Sequence, residues 1–302
     1  MTRLDISIVS YNRGPFLRHC VQTVQQCLPW ASITVRDDGS DDPETCEILA
    51  RLANQVTVIR RTESPHSKHG GLYAHMQAAL EATADDALLL FLQDDLQAVR
   101  SVAADELQAW WRLFSQGPEL GFLSPSFVPA SGRKGGIGRF DLERERGLFW
   151  PEEATISAGI HYSDVSLCWP QRLREQGWSF HAREATNDAQ ARHAFGRMPT
   201  LAAPFLAWLP LVPAYRGRRK TWALQQVERR RNAGFHPFAP LSAEEVSRLH
   251  AARDAHPPIA DDWLHLRESD VPKPWHHNAM QGQRGWRRLN SFETRLRRWS
   301  RT

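Results

Sequence analysis

Two short apolar runs near the start of this sequence each end in paired aspartates. Ile33-Thr34-Val35-Arg36 leads into Asp37-Asp38-Gly39-Ser40-Asp41-Asp42, and Leu88-Leu89-Leu90-Phe91-Leu92 leads into Gln93-Asp94-Asp95. Carboxylates gathered in one place repel one another unless they hold a cation or accept hydrogen bonds from a ligand. The chemistry that suits them is the binding of a nucleotide carrying a divalent metal ion on its phosphates. That requires the two pairs to meet in space. Buried strands of a parallel sheet read as short apolar runs. Ligands of open α/β sheets bind outside the carboxyl ends of such strands. Both pairs are therefore expected on one rim.

The elements needed to build that rim are legible. Asp5 to Val9 reads as a first strand, broken by the turn-forming Ser10-Tyr11-Asn12-Arg13-Gly14-Pro15. Phe16 to Cys27 carries Leu17, Cys20, Val21, Val24 and Cys27 at helical spacing. Ile33 to Val35 is a second strand, and Pro43 to Leu52 a helix with proline where helix starts favour it. Val56 to Ile59, Leu72 to Ala82 and Ala87 to Leu92 continue as strand, helix and strand. This alternation predicts an α/β protein with a doubly wound, mostly parallel sheet flanked by helices. Further helices are expected at Ala104–Phe114, Asn187–Phe195 and Trp222–Arg231, and strands at Gly121–Val128 and Thr155–Tyr162. Ser131 to Gly136 reads as a flexible loop. The apolar stretch from Pro199 to Tyr215 is cut by Pro204, Pro210 and Pro213, too broken to span a bilayer.

At 302 residues the chain is long enough for one large α/β core and a smaller appendage. The cysteines (Cys20, Cys27, Cys46 and Cys168) form no C-x-x-C pair and read as reduced thiols of a cytoplasmic protein. The N-terminus leads straight into a strand, so no signal peptide is expected. Charge is unevenly spread. From Gln281 onward there are seven arginines against Glu293 alone, so the net +4 of the chain belongs to this tail. Trp286, Leu289, Phe292, Leu296 and Trp299 recur there at three- and four-residue steps, predicting a basic amphipathic helix over Asn290–Arg301. Three fates suit it: packing its apolar stripe on the body, lying on the anionic inner face of a membrane, or holding nucleic acid.

The order strand, S-Y-N-R, helix, strand, D-D-G-S, then G-G-L with an alanine-rich helix, then an apolar strand ending in D-D, resembles the family 2 glycosyltransferases of the GT-A fold. The likeness is close over residues 4 to 97 and looser to about residue 197. It implies a GT-A sheet and an inverting enzyme that takes sugar from a nucleotide-diphosphate sugar donor. By the resemblance, Ser10 and Tyr11 border the nucleoside. Asp38, with Asp37 beside it, hydrogen-bonds the base. Gln93 and Asp94 belong to the D-x-D position, and Asp95 binds the metal, Mn²⁺ or Mg²⁺. Asn187-Asp188, read as preceding a helix, resembles the E-D pair, which makes Asp188 the general base; Asp164 is its rival. Gln93 stands where an aspartate is usual, His75-Met76-Gln77 where A-R-N is usual, and Asn187 where a glutamate is usual.

The chemistry fits these residue types. Hard oxygen ligands suit both metals, and phosphates and water complete the shell. A single displacement needs one carboxylate on the acceptor side. Arg216, Arg218, Arg219 and Lys220 are candidates for the diphosphate charge, and His276-His277 for a further metal ligand. The expected organisation is 1–98 as the nucleotide-sugar half, 99–215 as the acceptor half and 216–302 as a helical, basic extension. The acceptor expected from family habit is a surface glycan or its lipid-linked precursor. The rival readings are a glycosyltransferase acting on modified DNA bases, motivated by the basic tail and Arg133-Lys134, and a nucleotide-sugar binding module without turnover. A nucleotidyltransferase would want a glycine-rich basic loop after the first strand, where only Arg13-Gly14 stands.

Overall fold

The computed structural model describes residues 3–61, 70–130, 139–152, 160–214, 220–252, 254–268 and 271–299. The N-terminal part alternates β1 (Arg3–Ser10), α1 (Gly14–Cys27), β2 (Ser32–Asp37), α2 (Pro43–Leu52), β3 (Thr57–Arg60), α3 (Gly70–Ala82) and β4 (Ala87–Gln93). There follow β5 (Leu96–Ala98), α4 (Ala104–Gln116), β6 (Phe122–Leu123), β7 (Phe140–Glu143), β8 (Leu148–Pro151), β9 (Ser166–Cys168), α5 (Pro170–Glu175) and α6 (Glu184–Ala194). The rest is β10 (Thr200–Leu201), β11 (Leu206–Trp208), α7 (Trp222–Arg230), α8 (Ala243–Ala251), α9 (Ala260–Trp263) and α10 (Arg284–Trp299).

The main sheet has the order β3-β2-β1-β4-β9-β6. Its first four strands are parallel, while β9 runs antiparallel to both β4 and β6. Residues Ala87 to Leu92 of β4 are all buried, because helices cover both faces of a central parallel strand. The mostly parallel α/β architecture expected from the strand–helix alternation is thus the one observed. Small antiparallel pairings, β10-β8-β7 and β11-β5, lie beside it.

Some local expectations need correction. The strand expected at Gly121–Val128 shrinks to Phe122–Leu123, with isolated bridges at Ser124, Ser126 and Val128. Pro125 and Pro129 have no N–H to continue a ladder. Ile160 to Tyr162 is not a strand, and residues 155–159 lie outside the described residues. So do the loop 131–136 with Arg133-Lys134, and Arg216, Arg218 and Arg219. Helix α6 begins at Glu184, so Asn187-Asp188 lies inside it rather than before it. Asn187 is buried and closes the preceding loop, accepting from the His181 N–H at 2.8 Å and donating to its C=O at 3.0 Å. The last helix starts at Arg284, six residues ahead of the expected Asn290.

The chain beyond residue 220 packs on the body. Phe238, Leu249, Leu264 and Trp275 share a buried cluster with Phe16, Val99, Phe127 and Leu209. Among the described residues no helix is long and apolar enough to cross a membrane. One buried charge holds the middle of the chain together. Arg100 is 1% exposed, pairs with both carboxylate oxygens of Glu106 at 2.9 and 2.7 Å, and donates to the carbonyls of Ser101, Ala203 and Pro204. Its removal leaves three carbonyls and a carboxylate short of donors. Arg100→Ala is expected to cost on the order of 3 kcal/mol, read as a lower urea midpoint with an unchanged slope.

Candidate active site

The rim at the carboxyl ends of β1, β2 and β4 is built by two interlocked loops. Asn12, after β1, takes a left-handed φ of 50°. Its side-chain oxygen accepts from the N–H groups of Asp41 and Asp42 at 2.9 and 3.0 Å, and its amide donates to Asp41 at 2.6 Å. The Asn12 N–H donates to the Ser40 hydroxyl at 2.9 Å. One asparagine therefore ties the S-Y-N-R turn to the D-D-G-S loop. Asp37 lies beneath that loop, fully buried, and accepts from the Ser40 N–H at 3.0 Å and Arg60 Nε at 3.3 Å. Asp42 caps α2 by accepting from the Thr45 N–H at 3.0 Å. Of the four aspartates of the motif, Asp38 is the one turned toward α3. Its Oδ1 lies 3.6 Å from both Arg61 and His75 Nε2. Gly71 of α3 is pressed against it: a Cβ there would sit 1.8 Å from Asp38 Cγ. Asp38 and the start of α3 thus fit only because residue 71 has no side chain.

Asp94 and Asp95 follow β4 and are both buried. Arg13 spans them, with Nη1 2.6 Å from Asp95 Oδ2 and 3.3 Å from Asp94 Oδ1. Asp94 also accepts from the Ser10 hydroxyl at 2.8 Å and the Tyr11 N–H at 3.4 Å. Burial pushes Asp94 up to about 6, helped by the charge on Asp95 and opposed by Arg13 and Ser10. Asp95 differs in having a spare oxygen: its Oδ1 is buried without a hydrogen-bond partner. His277 also approaches Asp95, with Nε2 3.7 Å from the same Oδ2 that Arg13 contacts and its ring edge-on to Trp208 at 4.9 Å between centroids. It is carried there by the pairing of residues 276–278 with 211–212, where the Leu211 and Val212 N–H groups donate to His276 and His277 at 2.7 and 2.9 Å.

Across the rim stands a third carboxyl group. β9 pairs with β4 through Phe91 and Ser166, and Asp164 comes two residues before that last pair, toward the carboxyl end of β4. Burial raises Asp164 above the ordinary carboxylate range, while the hydroxyls of Tyr162 and Tyr73 pull it down. Its Oδ1 is buried and lacks a hydrogen-bond partner. Tyr73 is on α3, two residues beyond Gly71, so α3 links Asp38 to Asp164. Asp188 stands behind this group. Its Oδ1 accepts from the N–H groups of His161 at 3.0 Å and Tyr162 at 3.2 Å, holding the turn that leads to Asp164. Glu184 is nearby, raised by burial and by the charges of Asp164 and Asp188.

Ser10, Tyr11, Asp38, Gln93, Asp94 and Asp95 are therefore gathered on one rim, with Asp37 below it and Asp188 to the rear. The locking role of Asn12, the bridging role of Arg13 and the position of Tyr73 went unread in the sequence. Asn12 and Arg13 complete the quoted S-Y-N-R motif, a signal that was present, whereas Tyr73 gave none. Among the described residues no three histidine, cysteine, aspartate or glutamate side chains form a ready metal cluster. The free oxygen of Asp95 and the imidazole of His277 fit a cation whose remaining ligands come from phosphate and water.

Residues 5–110, about a third of the chain, match the family model described as Glycosyl transferase family 2. No curated protein matches the sequence. Among solved structures the chain is similar to TarS 1-349 of S. aureus, at 14% identity and TM-score 0.44 over 68% of this chain and 60% of that one. It is similar to the mannosyltransferase PcManGT of Pyrobaculum calidifontis, solved with GDP-Man and Mn²⁺, at 17% identity and TM-score 0.47 over 75% and 60%. A third similarity is to glucosyl-3-phosphoglycerate synthase of Mycobacterium tuberculosis with phosphoglyceric acid, at 13% identity and TM-score 0.40 over 64% and 66%. The chain spans less than two thirds of the length of each of these.

Proposed function

We propose, from the match of residues 5–110 to the family model described as Glycosyl transferase family 2, that this protein moves a sugar from a nucleoside-diphosphate sugar to an acceptor hydroxyl, with inversion at the anomeric carbon. The observation that carries the reading is the gathering of Asp38, Asp95 and Asp164 at one end of the sheet, each with a buried oxygen that lacks a hydrogen-bond partner. Asp38 accepts from the N–H of the base, between Arg61 and His75. Ser10 and Tyr11 border the nucleoside. Asp95 Oδ1 and His277 would hold Mg²⁺ or Mn²⁺, and Arg13 balances the charge of the buried Asp94–Asp95 pair. The bound cation supplies neutralisation of charge on the departing diphosphate.

On the acceptor side Asp164 takes the hydroxyl proton as the acceptor oxygen bonds to the anomeric carbon and the bond from that carbon to the diphosphate breaks. A carboxylate raised by burial is a better base than one in water. Asp188 is the other carboxyl group available for this step. Support for Asp164 comes from its unpartnered oxygen, whereas an oxygen of Asp188 is committed to two backbone N–H groups. Asp188 then acts as a positioning residue.

The direct test is thermal unfolding with uridine, guanosine, cytidine and thymidine diphosphates, each with Mn²⁺, Mg²⁺ or chelator. A ligand at a hundred times its dissociation constant adds about 2.7 kcal/mol. One nucleotide is expected to raise the Tm only with metal present. No shift with any nucleotide would remove the support for Asp38 and Asp95 as donor ligands. Gly71→Ala is expected to weaken that nucleotide about tenfold by pushing the Asp38 carboxylate off the base. Retained affinity in this variant would show that Asp38 does not touch the base.

A further inference from the structure

We infer that α10 is an interfacial helix that seats this protein on an anionic lipid surface. Helix α10 docks on α7 through one face alone. Trp286, Asn290, Glu293 and Arg297 are half-buried, and every other described side chain from Arg284 to Leu296 is exposed. The docking is polar. Glu293 accepts from the N–H groups of Trp222 and Ala223 at 2.7 and 3.1 Å, capping α7. Asn290 accepts from the Thr221 hydroxyl, Arg297 donates to the Lys220 carbonyl, and Arg230 lies over the Trp286 ring.

The apolar stripe points elsewhere. Leu289, Phe292 and Leu296 recur at i, i+3 and i+7, on a face about 100° around the helix from the docked one. They are 37%, 59% and 49% exposed. Three large apolar side chains displayed along one helix face mark a site of contact. Exposed Arg284, Arg288 and Arg295 border this stripe on the side away from α7, with Arg287 beyond them. The one acid of the tail, Glu293, is used in capping α7, so the outward face carries positive charge without a balancing carboxylate. Apolar side chains flanked by arginines suit the boundary between acyl chains and anionic headgroups, where the stripe leaves water and the guanidinium groups reach phosphate. A nucleic acid would satisfy the arginines but leave Phe292 and its neighbours in water. The inference rests on this helix and is independent of the reaction proposed above.

The test is co-sedimentation of the full chain with vesicles of phosphatidylcholine containing phosphatidylglycerol, and with vesicles of phosphatidylcholine alone. Binding is expected to the first and not the second, and to weaken as salt rises. Phe292→Ser with Leu296→Ser, and Arg288→Glu with Arg295→Glu, are each expected to lower it at least about tenfold. None of these four side chains is part of the docked face, so an unchanged Tm checks that the fold is kept. Failure to sediment with anionic vesicles overturns the inference. Salt-sensitive binding to duplex DNA that the arginine pair abolishes and the serine pair leaves intact overturns it in favour of nucleic acid. Self-association that the serine pair abolishes, without vesicle binding, overturns it in favour of a second copy of the chain.

Discussion

Asp95→Asn is expected to lower donor turnover on the order of a thousandfold while leaving the protein folded. The substitution keeps the shape of the side chain and removes its charge. Asp95 Oδ1 is the buried oxygen that a nucleotide-borne cation would meet, and a neutral amide oxygen is a far weaker ligand for Mg²⁺ or Mn²⁺ than a carboxylate. Losing one preorganised charge at a departing diphosphate costs roughly 3–4 kcal/mol of transition-state stabilisation. Folding should survive because Arg13 retains Asp94 as its ionic partner at 3.3 Å. Steady-state turnover of the donor, with the metal titrated, measures the effect. The nucleotide-induced rise in Tm, expected only with metal in the parent, should be lost. Turnover at the unsubstituted level would remove Asp95 from the cation site.

Asp164→Asn is expected to lower kcat by about 10²- to 10⁴-fold, the usual worth of a general base, with little change in the Michaelis constant for the donor. The pH dependence follows from burial. Asp164 must be ionised to take a proton, and burial raises it above the ordinary carboxylate range. The rate of the parent protein should therefore fall as pH drops through that raised value, and the residual rate of the variant should lack this limb. Stability runs the other way. A carboxyl group raised in the folded state favours folding when protonated, and that contribution is lost as pH rises from its unfolded value through its folded one. Asp164→Asn should thus be slightly more stable than the parent at neutral pH, as expected where activity holds a charge in a dry place. Asp188→Asn separates the two candidates. Its amide oxygen can still accept from His161 and Tyr162, so a positioning role predicts nearly full activity, whereas Asp188→Ala should lose both bonds. If Asp188→Asn is inactive and Asp164→Asn active, the assignment of the base is reversed.

The placement of the loops after β1, β2 and β4 was legible because it is local. A strand covered on both faces must be apolar, a βα turn must follow it, and chain direction puts every such turn of a parallel sheet on the same rim. Ser10, Asp38 and Asp95 could therefore be read from three short motifs. The position of Asp164 was less legible for the opposite reason. Asp164 reaches the rim through β9, a three-residue strand running antiparallel to β4, and nothing in its neighbourhood announces that pairing. Asn187-Asp188 had the spacing of a helix entrance. In the structure the buried amide of Asn187 closes the loop before it and leaves both residues inside α6.

The sequence by itself determined the alternating α/β layers, the clustering of Asp38, Asp94 and Asp95, and a basic amphipathic helix near the C-terminus, expected from Asn290 and observed from Arg284. Each follows from periodicity within a few residues or from the direction of neighbouring strands. The tertiary structure alone decided which carboxylates have an oxygen to spare, that Arg13 and His277 both approach Asp95 Oδ2, and which face of α10 is covered. Those outcomes depend on partners tens to hundreds of residues away. The hydrogen bonds of Glu293 to the start of α7 turn the polar face of α10 inward and its apolar stripe outward, and no pattern within the helix could say which.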